Sequence, residues 1–231
     1  MKKDAAQKML KLSEEEYDSY AEEFSNSRPF FWRELEDLNQ FAKDGDNILD
    51  IGCGNGRLLS LLENKKIHYT GIDSSKKLID IAKKNHSEEQ KFIHANALSL
   101  PFQDKTFDTV FSIAVLHHVP SQKLRELFVA EASRVLKPKG ILVLTVWNIY
   151  QWKFIKAHFL NTIKKILGQS DLDLGDIILS FGQKKRQRYI HGFTKKSLLQ
   201  LLEKNGFTIS SIKEVKRQSG YSNFVVIANK K

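Results

Sequence analysis

The stretch NILDIGCGNGRLLSLL, residues 47–62, sets Gly52, Gly54 and Gly56 directly after an apolar, strand-like run. Glycine weakens a strand or a helix, so three of them at such a handover need a reason. A glycine-rich turn between strand and helix bends tightly and lets the backbone approach a ligand with no Cβ in the way. The spacing is G-x-G-x-G, not the G-x-G-x-x-G of dinucleotide sites. No Gly-Lys-Ser/Thr follows, which argues against a P-loop that hydrolyses nucleoside triphosphates. Asp73 lies 21 residues after Gly52, at the end of the next strand-like run. An acid there can accept both hydroxyls of a ribose. The plainer alternative is that the glycines only shape a turn and Asp73 caps the helix at 74–81.

The pattern then alternates. Strand-like runs at 47–51, 68–72, 91–95, 109–115 and 140–147 are separated by helical patterns at 57–63, 76–84 and 122–136. That rhythm predicts βαβ units with right-handed crossovers and helices on both faces of a parallel sheet. Residues 1–45 read as an N-terminal helical cap. Pro29 suits a first helical turn with Ser27 as its cap, and Trp32, Leu35, Leu38 and Phe41 follow as an apolar stripe. Residues 46–147 form the expected core. Residues 148–190 break the rhythm with a Lys-rich apolar helix, the acidic turn SDLDLGD and the basic run KKRQR, and read as an inserted segment. In 191–231, a helix at 195–205 closed by Gly206 and two further strands complete the sheet. The predicted fold is α/β: a doubly wound, mostly parallel, Rossmann-like seven-stranded sheet with an inserted helical and basic segment.

Cys53 is the sole cysteine among 231 residues, so an intramolecular disulfide is excluded and a cytoplasmic setting is expected. No run reaches the ~18 apolar residues of a membrane span. Neither a signal peptide nor stable membrane association is expected, and the protein reads as a monomer. No Cys/His set stands at metal-ligand spacing, so no metal site is assigned. The net charge is +10, from 37 basic and 27 acidic residues. That favours an anionic partner, nucleic acid first, or simply a lysine-rich solvated surface.

LDIGCGNGRLL resembles the first motif of the class I S-adenosylmethionine-dependent methyltransferases. GIDSS is similar to their second, ANALSLPF to the third, and FDTVFSIAVLHHV with EASRVLKPKGILVLTVW to the fourth and later ones. The resemblance covers about residues 45–147 and implies a site for S-adenosylmethionine, with S-adenosylhomocysteine as product. By the same resemblance, Asp50 and the backbone of Gly52, Cys53 and Gly54 hold the methionine part and Asp73 the ribose. Asn96, Ala97 and Leu98 flank the adenine, and Tyr20, Arg28, Ser74 and Ala114 complete the cofactor set. Two positions depart from the family. Asn96 stands where many relatives have Asp, but its amide oxygen can still accept from the adenine amino group. KPKG replaces KPGG at Lys139, in a turn where little cost is expected.

YDSYAEEFSNSRPFFWREL (17–35), SIAVLHHV, LTVW and RYIHGFTKKSLLQLLEKNGF (188–207) together resemble the tRNA wobble-uridine carboxymethyl methyltransferases. These esterify the carboxylate of a modified uridine. The resemblance implies tRNA as partner and a small zinc-containing activator protein. A carboxylate is already ionised at pH 7, so no general base is required. Arg28 is the candidate clamp for a carboxylate, of the acceptor or of the cofactor. His117 or His118, at the end of the fourth strand, is the candidate catalytic contact, with one of the two facing the site. The basic stretch 184–196, with Tyr189, His191 and Phe193, offers charge to phosphates and rings to unstacked bases, unless those rings pack in the core. The helix at 153–166 is expected as a lid over the pocket, with a membrane-surface helix as the other reading. A methyltransferase of a small metabolite or lipid precursor, and a non-catalytic cofactor-binding subunit, stay open as alternatives.

Overall fold

The structure is a computed structural model that describes residues 1–28, 30–181, 186–217 and 220–231. Five strands, β1 (Asn47–Ile51), β2 (His68–Asp73), β3 (Lys91–His94), β4 (Phe107–Ile113) and β5 (Leu136–Asn148), pair in parallel. Near the C-terminus, β8 (Phe207–Lys216) and β9 (Ser222–Lys230) add antiparallel strands, giving the order β3-β2-β1-β4-β5-β9-β8. The doubly wound, mostly parallel seven-stranded sheet of the sequence analysis is therefore the architecture. Both faces are covered, as the near-continuous burial of β1, β4 and β9 requires. One face packs Leu49, Val110, Leu144 and Val226 under helices α5 (Gln122–Val135) and α7 (Lys195–Lys204). The other packs Ile48, Phe111, Val143 and Val225 against Leu35, Leu38 and Ile79.

Ile79 belongs to α4 (Lys76–Asn85), the helix after the short α3 (Leu59–Leu62), and Ser75 caps α4 by accepting from Leu78 N. The N-terminal cap is α1 (Lys3–Ser19), α2 (Ala21–Asn26) and a 3₁₀ helix, Arg33–Phe41. The stripe of Trp32, Leu35, Leu38 and Phe41 repeats every three residues, which is the 3₁₀ period. Ser27 closes α2 instead of opening the next helix, its Oγ donating to Phe24 O. Pro29 lies outside the described residues.

Within 148–190 the helix appears as α6 (Ile155–Ile166), and the rest forms a two-stranded antiparallel hairpin that the sequence analysis missed. Its strands are β6 (Asp176–Phe181) and β7 (Arg186–His191). α6 packs on β6, and α1 packs on β7. Lys184 and Lys185 of the basic run lie outside the described residues. Lys139 was expected to cost little, yet it sits at φ +64° within β5. A side chain there costs about 1–2 kcal/mol that glycine would avoid.

Candidate active site

The strand order reverses between β1 and β4, and an open α/β sheet binds ligands at that point, beyond the carboxyl ends of its strands. A cavity of about 450 Å³ opens there, within the ~300–1,000 Å³ range of small-molecule sites. The glycine loop forms its floor. Gly52 has φ +76°, and a Cβ on it would lie 2.3 Å from Val115 Cγ2, so only glycine fits. Asn55 ties the loop to the N-terminal cap, its Nδ2 donating to Ser25 Oγ and Arg28 O. Ala114 leaves β4 in the left-handed region, at φ +61°, its N–H held by Thr145 O and Thr145 Oγ1.

Asp73, at the end of β2, accepts from Gly54 N and Ser75 N, one to each carboxylate oxygen. Burial raises its pKa, and the two amides oppose that rise. Each oxygen keeps a lone pair for a further donor. Asp50 accepts from the Tyr69 hydroxyl at 2.8 Å. Burial pushes its pKa up to about 7, the Tyr69 hydrogen bond opposes the rise, and the Asp73 charge adds to it.

Four guanidinium groups, of Arg28, Arg57, Arg188 and Arg217, line the same cavity. Arg57 and Arg217 each lie 4.1 Å from the centre of the Trp32 ring, and Arg28 lies 4.5 Å from that of Phe24. Burial, reinforced by the Arg28 and Arg217 charges, lowers Arg57 to about 10. Its Nη1 is buried with no hydrogen-bond partner among the described residues. Arg188 reaches in from β7 between the rings of Tyr17, Tyr20 and Trp147, at 5.3, 5.9 and 5.7 Å.

His118 lines the cavity, and His117 is fully buried outside the lining. His118 Nδ1 lies 3.0 Å from Tyr189 O, and Nε2 lies 3.1 Å from the Tyr17 hydroxyl. A carbonyl can only accept, so Nδ1 carries the proton and Nε2 accepts from Tyr17. Burial, with the Arg188 charge beside it, lowers His118 to about 3, so the ring stays neutral at working pH.

Of the other residues singled out from sequence, Arg28, Asp50, Gly52, Cys53, Gly54, Asp73, Ser74, Asn96, Ala97, Leu98 and Ala114 line the cavity. Tyr20 stands outside the lining, its hydroxyl accepting from Arg188 Nη2. The Asn96 Oδ1 assigned to adenine accepts from Leu98 N at 2.8 Å and shapes its own loop. Tyr189 and Phe193 are core residues, with exposures of 1% and 2%, and offer no stacking platform. No residue of α6 lines the cavity, so α6 is not its lid. Tyr17, Trp32, Arg57, Trp147, Arg188 and Arg217 were missed. Arg57 and Arg188 had signals, in the glycine motif and the basic run; Arg217 had none.

The model of a methyltransferase domain matches residues 49–144. An S-adenosylmethionine-dependent methyltransferase of Methanosarcina mazei superimposes with a TM-score of 0.72 at 28% identity, over 87% of this chain and 98% of that one. The chain belongs to the class I S-adenosylmethionine-dependent methyltransferases. Among relatives of this methyltransferase, an uncharacterised protein of Methanocaldococcus jannaschii is 34% identical over 76% of this chain and 67% of its own length. A Xenopus tropicalis tRNA (carboxymethyluridine(34)-5-O)-methyltransferase is 35% identical over 69% of this chain. The chain spans about a fifth to a third of the length of the curated tRNA enzymes it matches, from 20% to 32%. The cofactor is S-adenosylmethionine, and the cavity suits it. The glycine floor admits close backbone approach, and the site pairs two carboxylates with an arginine whose buried Nη1 has no partner among the described residues.

Proposed function

We propose that this methyltransferase esterifies the carboxylate of a modified wobble uridine in tRNA. The observation that carries the reading is the convergence of Arg28, Arg57, Arg188 and Arg217 on one cavity, with Arg188 delivered by a basic hairpin. Such a site fits two carboxylates, one on the cofactor and one on the acceptor. Asp50 faces the cofactor's ammonium, Arg57 and Arg28 its carboxylate, and Asp73 its ribose hydroxyls. Asn96, Ala97 and Leu98 flank the adenine. Arg188, braced by Tyr20, takes the acceptor carboxylate beside Tyr17 and His118.

The cofactor supplies an electrophilic methyl on a positive sulfur. A carboxylate oxygen oriented by Arg188 would accept that methyl, one C–O bond being made for the one S–C bond broken. No proton moves, which agrees with a His118 whose two nitrogens are occupied. The residues act by positioning, since a held near-attack geometry supplies ~7–11 kcal/mol. The partial match to curated tRNA enzymes supports the acceptor class.

The test is incubation with methyl-labelled cofactor and total tRNA whose esters have been hydrolysed by mild alkali. Label that enters RNA and leaves again on mild alkali is the expected result. Label that appears in small molecules and not in RNA, or in RNA but alkali-stable, overturns the proposal.

A further inference from the structure

α6 is inside out. On the side facing the protein its buried side chain is polar: Asn161, whose Nδ2 donates to Asp173 O and Asp176 O. The apolar residues face solvent instead. Trp152, Ile155, Phe159, Ile163 and Ile166 recur every three or four residues as one exposed stripe, with Leu160 and Leu167 beside it. Trp152 is 86%, Ile166 77% and Phe159 65% exposed. A soluble surface helix ordinarily turns such a stripe inward, and a contiguous exposed patch of this kind marks an interaction site.

The charges on the helix itself are of one sign. No carboxylate occurs in the sequence between Glu131 and Asp171, and Lys156, Lys164 and Lys165 lie on α6 itself. Lys156 and Lys164 are exposed. We propose that this face docks reversibly on an anionic phospholipid surface. An interfacial helix lies in the membrane plane with its apolar side in the acyl boundary and lysines toward the headgroups, and an exposed Trp suits that depth. Two other occupants fit less well. Exposed Ile155, Leu160, Ile163, Ile166 and Leu167 gain from hydrocarbon but not from RNA, which seeks aromatic rings and arginine. Apposition of two copies would set lysines against lysines. No helix among the described residues is long and apolar enough to cross a membrane, so the docking is peripheral. The active-site cavity takes no residue from α6, and this surface is independent of the acceptor chemistry.

The experiment is flotation of the full chain with vesicles of phosphatidylcholine alone, or of phosphatidylcholine containing phosphatidylglycerol, at low and high salt. The expected result is capture by the anionic vesicles only, weakened by salt. One lysine near such a surface is worth about five-fold in binding, so Lys156→Gln with Lys164→Gln should weaken capture about twenty-five-fold. Phe159→Asn with Ile166→Asn should abolish it, while calorimetry with S-adenosylhomocysteine verifies that each variant folds. The lysine pair decides the matter if the apolar pair does not fold. No capture, equal capture by neutral vesicles, or undiminished capture of the folded variants overturns the proposal. So does tRNA binding that both variants weaken in the absence of any capture, or a dimer in sedimentation that the apolar variant dissolves.

Discussion

Asp50→Asn separates the two demands placed on Asp50. The carboxyl is 2% exposed, its pKa lies near 7 in the folded chain, and its ordinary value is 3.8. A raised folded pKa means that the native state holds the proton more tightly than the unfolded chain. Stability is then greatest below pH 4, falls as pH rises from about 4 to 7, and levels off above. At 1.36 kcal/mol per pH unit, the ionised carboxylate costs the cofactor-free fold about 4 kcal/mol at pH 8. Asparagine keeps an oxygen for the Tyr69 hydroxyl and carries no charge. The Tyr69 hydrogen bond is already contained in that pKa, so removing the charge leaves a gain of about 4 kcal/mol.

In a chain of this size that gain raises Tm by about 8–16 °C at pH 8. At pH 4 the difference should nearly vanish, because the native acid is then already neutral. Calorimetric unfolding of both proteins without cofactor, at the two pH values, reads this directly. On the proposed assignment the same substitution removes the anion offered to the cofactor's ammonium, so S-adenosylhomocysteine should bind at least about a hundred-fold more weakly at pH 8. In the parent protein, binding should fall about ten-fold per pH unit as Asp50 takes up its proton below pH 7. A lower Tm for the variant at pH 8, or an equal shift at both pH values, would refute the reasoning.

Three further outcomes follow. Asp73→Ala should strand the amides of Gly54 and Ser75, costing about 2–4 kcal/mol in urea unfolding, and should abolish heat on titration with S-adenosylhomocysteine. Lys139→Gly relieves the positive φ within β5 and should stabilise the protein by about 1 kcal/mol in the same unfolding assay, with cofactor affinity unchanged. His118, lowered to about 3, should leave no titration near pH 6.5 in the methyl-transfer rate at saturating cofactor. A limb there that His118→Gln removes would show the imidazole to be titrating after all.

The half of the cavity around the glycine loop was legible because it is nearly contiguous. A strand, a glycine loop and the next strand's terminal acid carry most of it, and each has a local cause: Gly52 because a Cβ would strike Val115, Asp73 because two amides converge on it. The parallel core was legible for a similar reason, each strand being a short apolar run bounded by a helix or turn signal. The β6–β7 hairpin was not. RQRYIH alternates as a strand does, but Arg188 on it points to the cavity and Tyr189 to the core, so its charges read as a solvated basic run. The tie from Arg188 to Tyr20 joins residues 168 apart, and no local pattern announces such a contact.

That asymmetry bears on how the chemistry is divided. The donor side rests on the sheet's own strand ends, so the same backbone that folds the core positions the cofactor. The rest of the lining is assembled from pieces outside it: Tyr17 from the cap, Arg28 after α2, Arg188 from the hairpin and Arg217 beyond β8. Three of these side chains are cations in one small cavity, and Arg57 adds a fourth from below. Burial and mutual repulsion lower Arg28, Arg57 and Arg217 together, so these guanidinium groups are held against their own electrostatics. An anionic acceptor relieves that repulsion, whereas a neutral one of the same shape leaves it in place. On the proposed function, discrimination would therefore lie in the acceptor's charge before its shape, and an ester product, having lost that charge, would be the species the site holds least.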